Sequence, residues 1–189
     1  MQWHNTISPA LRDLVNGEQR PPLGPGKPNR GVYAKLRALA LDNAFVPHAV
    51  HDRDMAQCCL AGVWLLYNYL DESHCISQDI STTTGSYWHG MMHRRELDFA
   101  NAKYWFHRVG RHPAFEPLQR EAARLAAESD DNRGGRIADW AQWEPFTFID
   151  LCEAVQGSGT GAETMCVEIQ QTEWRCLFEY CYRQAIALT

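Results

Sequence analysis

Apolar residues recur along this chain at intervals of three and four rather than in alternation, which is the period of helices and not of strands. Ser8 before Pro9 marks a short helix over 8–16, with proline at its first position. The proline- and glycine-rich run GEQRPPLGPGKPNR follows and reads as a loop. Val32, Leu36, Leu39 and Ala40 predict a helix over 31–43, and Pro47 closes that region. Asp54, with Gln57 three residues on, is the expected cap of a helix reaching about Leu70. Through CCLAGVWLLYNYL that helix is apolar nearly all round, the mark of a central, buried element.

The segment DESHCISQDISTTTG is expected to turn the chain, its Ser and Thr residues capping a helix over 84–96. Asp98 is the expected cap of a helix over 99–110, which stops at Gly110 ahead of Pro113. An amphipathic helix over 114–128 leads to the loop SDDNRGG, short helices over 136–143 and 145–156, and a long helix over 162–187. In the last, Trp174, Phe178, Cys181 and Ala185 recur at helical spacing. Alternating β-branched runs are absent. The expected fold is all-α, a compact bundle of helical hairpins around a central apolar helix. Residues 1–30 form an N-terminal arm and loop, and 31–189 a single domain.

Composition adds bounds. The 189 residues are 45% apolar and 22% charged, enough to bury a core without staples. Seven cysteines, none in a CxxC pair, read as small buried hydrophobes in a reducing cytoplasm rather than a disulfide framework. The opening MQWHNTISPALRDLV lacks the pattern of a signal peptide, and the longest apolar run falls short of the roughly 20 residues a bilayer requires. A net charge of −5 disfavours nucleic acid as a partner. Within 85–113 the balance reverses, with Arg94, Arg95, Lys103, Arg108 and Arg111 against Glu96 and Asp98.

That same stretch holds the candidate chemistry. His89 and His93 are four residues apart and Glu96 three further on, so all three share one helix face. HxxxH on a helix presents two imidazoles to one metal, and Glu96 is the candidate third ligand or a base. His74 offers a further nitrogen. The position where a zincin carries glutamate is Gly90, which removes that class of peptidase. Without a metal, Glu96 would orient His93 for acid–base work. Arg94 and Arg95 are candidate clamps for a phosphate or carboxylate, with ion pairs to Glu96 or Asp98 as their ordinary alternative. Asn101, Tyr104, Trp105 and Arg108 fall on one face of the next helix, where Asn101, Tyr104 and Lys103 are candidate ligand-binding residues. GSGTG at 157–161 has neither the strand nor the Lys-Ser/Thr of a phosphate loop and reads as a connection.

Two resemblances attach to these residues. WHGMMHRRELDFANAKYWFHRVGRHP resembles one tetratricopeptide-type hairpin, with Gly90, the ELDF turn, Ala102, Phe106 and Pro113 near that repeat's small, turn, aromatic and proline positions. A working array needs three or more copies and one is present, so this implies a helix pair and no more. LDESHCISQDISTTTGSYWHGMMHRRELDFANAKYWFHRVGRHP also resembles a family of uncharacterised bacterial and fungal proteins with SYWH, HRRE and NAKYWF segments in this order. That resemblance covers the middle of the chain and implies that His74, His89, His93, Arg95, Glu96 and Asn101 act as a unit.

Three functions fit these observations. The favoured one is a small helical enzyme with a pocket lined by His, Glu and Arg, carrying out hydrolysis or another proton transfer on a small anionic substrate. A divalent zinc, iron or manganese ion is its candidate cofactor. The second is a non-catalytic binding module for an anionic ligand, a peptide or single-stranded nucleic acid. The third is a structural role for the buried polar network.

Overall fold

The computed structural model describes residues 6–17, 19–129 and 136–188, and among these every regular element is helical. They are α1 (Pro9–Val15), α2 (Tyr33–Arg37), α3 (Leu41–Ala44), α4 (Arg53–Leu66), α5 (Leu70–Ser77), α6 (Thr83–Arg95), α7 (Phe99–Val109), α8 (Phe115–Glu128), α9 (Pro145–Val155) and α10 (Gly161–Ala185). No described helix is long and apolar enough to cross a membrane.

Most boundaries follow the capping chemistry. Thr82 accepts from Gly85 at the start of α6, Asp98 from Asn101 at the start of α7, and Thr160 from Glu163 at the start of α10. Three expectations are corrected. The cap of α4 is Asp52, which accepts a 3.0 Å hydrogen bond from the Met55 amide, rather than Asp54. That helix stops at Leu66, before Asn68 takes a positive φ of 64°. The helix expected over 31–43 is broken into a 3-10 turn at Arg30–Val32, α2 and α3. Asn43 accounts for the second break, because its side chain accepts from the Ala40 amide and donates to the Ala38 carbonyl, offering the backbone another partner. The third correction is α5, an eight-residue helix inside the segment expected to be a turn.

The core has two parts. In the larger, α4, α6 and α10 meet around Trp88, Trp174 and Phe178, with Leu11 and Leu14 of α1 against them. In the smaller, Leu118 and Ala122 of α8, Phe148 and Cys152 of α9, and Met165 and Ile169 of α10 enclose Leu23. Each large apolar side chain buried in this way contributes about 1.5–3 kcal/mol. Two of the core indoles of the larger part are satisfied by named partners: Trp174 Nε1 donates to Gly62 O at 2.8 Å and Trp88 Nε1 to Cys181 Sγ at 3.3 Å. A Cβ on Gly62 would lie 2.7 Å from the Trp88 ring, so only glycine lets α6 approach α4 this closely.

The segment before α2 packs onto the rest. Ile7, Leu11, Leu14 and Leu23 are buried, the Ser8 amide donates to Tyr182 Oη at 2.8 Å, and Gln170 Nε2 donates to the Pro21 and Pro22 carbonyls. The central position is shared between apolar α4 and polar α6. Twelve of the thirteen residues of α6 are buried, so its histidines and arginines must find partners inside the protein.

Candidate metal centre

The two arginines at the end of α6 find theirs away from any ligand. Arg94 is 1% exposed and forms an ion pair with the fully buried Glu173, whose other oxygen accepts from Tyr87 Oη at 3.0 Å. Its guanidinium lies 4.9 Å over the Phe148 ring. Arg95 donates to the Gly24 carbonyl at 2.9 Å, to Pro25 O at 3.2 Å and to Asn68 Oδ1 at 2.5 Å, fastening the proline-rich loop to the core. Neither arginine is presented as an anion clamp. Lys103 pairs instead with Asp150 of α9, and Tyr104 is 55% exposed with its ring edge-on to Trp105, so neither joins the histidines.

The histidines do converge. His89 and His93, one turn apart on α6, stack with ring centroids 4.7 Å apart and planes at 25°. From α5, His74 brings its ring to 4.7 Å from His89 and 5.3 Å from His93. Each of the three offers a ring nitrogen, and those nitrogens all lie within 4.8 Å of one another. His89 is 2% exposed and His93 7%, while His74 is half-buried, so the cluster sits just below the surface with its open side at α5. Comparison with protein-family models, curated proteins and solved structures gave no match.

Residues around the cluster orient it. Glu96 Oε2 lies 2.9 Å from His93 Nδ1, so the carboxylate accepts from Nδ1–H and Nε2 keeps its lone pair. Glu96 thus stands behind His93, not among the converging nitrogens, in place of the direct ligation expected from HxxxHxxE spacing. Asn101 Nδ2 lies 3.1 Å from Nε2 and 3.4 Å from Nδ1 of His93. With Nδ1 carrying the proton, Nε2 is the nitrogen that accepts from the Asn101 amide, so a metal at Nε2 would take the place of that contact. Trp105 stacks on His89 at 3.9 Å and 16°, and the Arg108 guanidinium lies 5.1 Å over Trp105.

The electrostatics favour neutral imidazoles. Burial, then the neighbouring His93 and His74, push the His89 pKa down to about 3. Burial also lowers that of His93, against the opposing pull of Glu96. Neutral imidazole is the form that ligates metals. His89 Nδ1 is buried with no hydrogen-bond partner, a state that costs about 1–3 kcal/mol when nothing compensates it.

Of the residues anticipated from sequence, the structure brings together His74, His89, His93, Glu96 and Asn101. It adds Trp105, which stacks on His89 from the α7 face that also carries Asn101. The loop at 157–161 is already occupied: Glu163 accepts from the Gly157 amide at 2.6 Å and the Gly159 amide at 2.7 Å. Its donors serve the helix cap of α10.

Proposed function

We propose that this protein binds a divalent transition metal, zinc above all, through His74, His89 and His93, and uses it to assist hydrolysis of a small anionic substrate. The observation that carries this reading is the convergence of ring nitrogens from three imidazoles on two helices, one of which, His89, also has a buried nitrogen without a hydrogen-bond partner. An all-imidazole donor set suits zinc, whereas manganese favours oxygen ligands. Mononuclear non-haem iron commonly takes two histidines and a carboxylate, and here the nearest carboxylate is spent on His93. Three protein ligands are the number a catalytic zinc site has, leaving a place for water or substrate. When bound, zinc supplies Lewis acidity and brings a water near pKa 7.

The chain's own residues prepare the site. Glu96 fixes the His93 tautomer and raises its basicity. Trp105 covers one face of His89 and keeps water from it. The half-buried His74 and Asn101 border the side from which a substrate enters.

Equilibrium dialysis against zinc tests the reading. One equivalent is expected to bind to the unaltered protein, and His89→Ala and His93→Ala should each weaken binding at least ~100-fold while retaining helical circular dichroism. A small activated ester should be hydrolysed by the zinc-loaded protein alone. Equal zinc binding by the parent and both variants would overturn the site.

A further inference from the structure

We infer that the cleft between the start of α8 and the start of α9 is a second binding site, which takes a small zwitterion carrying an aromatic side chain, either a free amino acid or a short peptide. The cleft has a volume of about 810 Å³. That is within the roughly 300–1,000 Å³ of small-molecule sites. Three stretches of chain line it: 110–112 after α7, one face of α8 from Phe115 to Arg120, and 141–146 running into α9. None of the lining residues belongs to the histidine cluster, so this site is independent of the metal centre.

Its apolar lining is aromatic. Phe115 and Phe146 are half-buried and Trp143 is 3% exposed, and all three line the cleft. The ring area that Phe115 and Phe146 leave uncovered suits an aromatic side chain, which adds edge or offset contacts to plain burial. The charges come in both signs. Arg111 and Arg120 line the cleft together with Glu116 and Glu144. Glu116 and Arg120 are one turn apart on α8, the spacing at which such residues commonly pair. Yet none of the four enters an ion pair with another described residue. Two guanidinium groups and two carboxylates without partners match a ligand that brings one carboxylate and one ammonium. A ligand with a single charge would be repelled by one pair as it is attracted by the other. Two uncharged atoms repeat the same pairing of donor and acceptor. Trp143 Nε1 and Gln119 Oε1 are buried without hydrogen-bond partners, and both side chains line the cleft. Gln119 Nε2 donates to the Ile137 and Trp140 carbonyls, each at 3.1 Å, which fixes the amide and leaves its oxygen as the acceptor. The indole N–H suits a ligand carboxylate, and the amide oxygen a ligand ammonium.

The test is isothermal titration calorimetry on the metal-free protein. L-Phenylalanine and its dipeptide supply the zwitterion, while phenylacetate lacks the ammonium and phenethylamine the carboxylate. At least one zwitterion is expected to bind one-to-one, and both single-charge analogues should bind at least ~10-fold more weakly, the worth of one charge-assisted hydrogen bond. The tighter of amino acid and dipeptide identifies the source. Arg111 and Arg120 are exposed, so replacing both by glutamine keeps the fold. That double variant should lose ~10-fold or more in affinity for the zwitterion and bind phenethylamine no more weakly than the parent does. His89→Ala should bind the zwitterion as the parent does. Absence of binding by either zwitterion would overturn the site. Equal affinity for all four compounds, or for the zwitterion in parent and double variant, would overturn the recognition by charge. Loss of binding in His89→Ala would place the ligand at the histidines and overturn the inference too. Zinc binding is measured separately, so failure here leaves the metal reading standing.

Discussion

Glu96 illustrates how spacing along a helix brings a side chain to a neighbour while the contact it makes decides its task. Its spacing from His93 puts it on the right face, but the carboxylate meets Nδ1, behind the ring, and not the open side of the cluster. Its substitution should therefore tune the metal and not abolish it. Glu96→Gln is expected to weaken zinc binding ~10–100-fold. Isothermal titration calorimetry would read this, and an unchanged affinity would show that the contact has no influence on the ligand. His112 is a further buried imidazole, with both ring nitrogens engaged inside the protein. The Ala114 amide donates to its Nδ1 at 3.1 Å, so Nε2 carries the proton and donates to Thr84 Oγ1, also at 3.1 Å. Burial lowers its pKa from 6.5 to about 4. The unfolded chain takes up this proton first as pH falls, so the stabilisation is complete above about pH 6.5 and is lost as pH drops through about 4. It amounts to about 3 kcal/mol. Urea denaturation at pH 7 and pH 4 should show His112→Asn losing less stability on acidification than the parent, and equal losses would contradict this.

At the scale of elements, the long and strongly periodic helices were legible. The starts of α6, α7 and α10 and the end of α7 follow from caps and a glycine that the sequence displays. α5 was not legible, and it carries His74. Its eight residues have no side-chain cap at Tyr69, and its fully buried positions are Ser73 and Ser77, so it shows no apolar stripe. Tertiary contact with α4 and α6 holds it, which no local pattern announces. Such a helix lies at the low-stability end of the molecule, and Ser73 Oγ is itself buried without a partner. Zinc bridging His74 to α6 should slow amide hydrogen exchange across 70–77 by at least ~10-fold and leave α10 unchanged. Exchange in 70–77 that is indifferent to bound zinc would exclude His74 as a ligand. The α6–α7 pair depends on Gly90, where a Cβ would come 2.8 Å from the Phe106 ring. Gly90→Ala is expected to cost about 1–3 kcal/mol through overpacking, read as a lowered Tm.

Across the whole molecule, the polar helix α6 is the element that joins everything, and its charges explain why sequence alone misassigned the arginines. Arg94 and Arg95 are adjacent and look like a paired clamp, yet their partners lie far away in the chain, at Glu173 and at Gly24, Pro25 and Asn68. Nothing local marks those partners. The Arg94–Glu173 pair carries a steep penalty if halved: Glu173→Ala strands a buried guanidinium and should cost about 3–5 kcal/mol, whereas Arg94→Met with Glu173→Leu should recover most of it. Chemical denaturation of the single and double variants would read the difference. With the arginines committed to the core, the proposed metal centre narrows to the three histidines where α5 meets α6. X-ray absorption at the zinc edge of protein loaded with one equivalent tests that conclusion most directly. The expected spectrum has three imidazole nitrogens at about 2.0–2.1 Å and one further light atom, without sulfur. A sulfur shell near 2.3 Å, or a shell of oxygen alone, would contradict it.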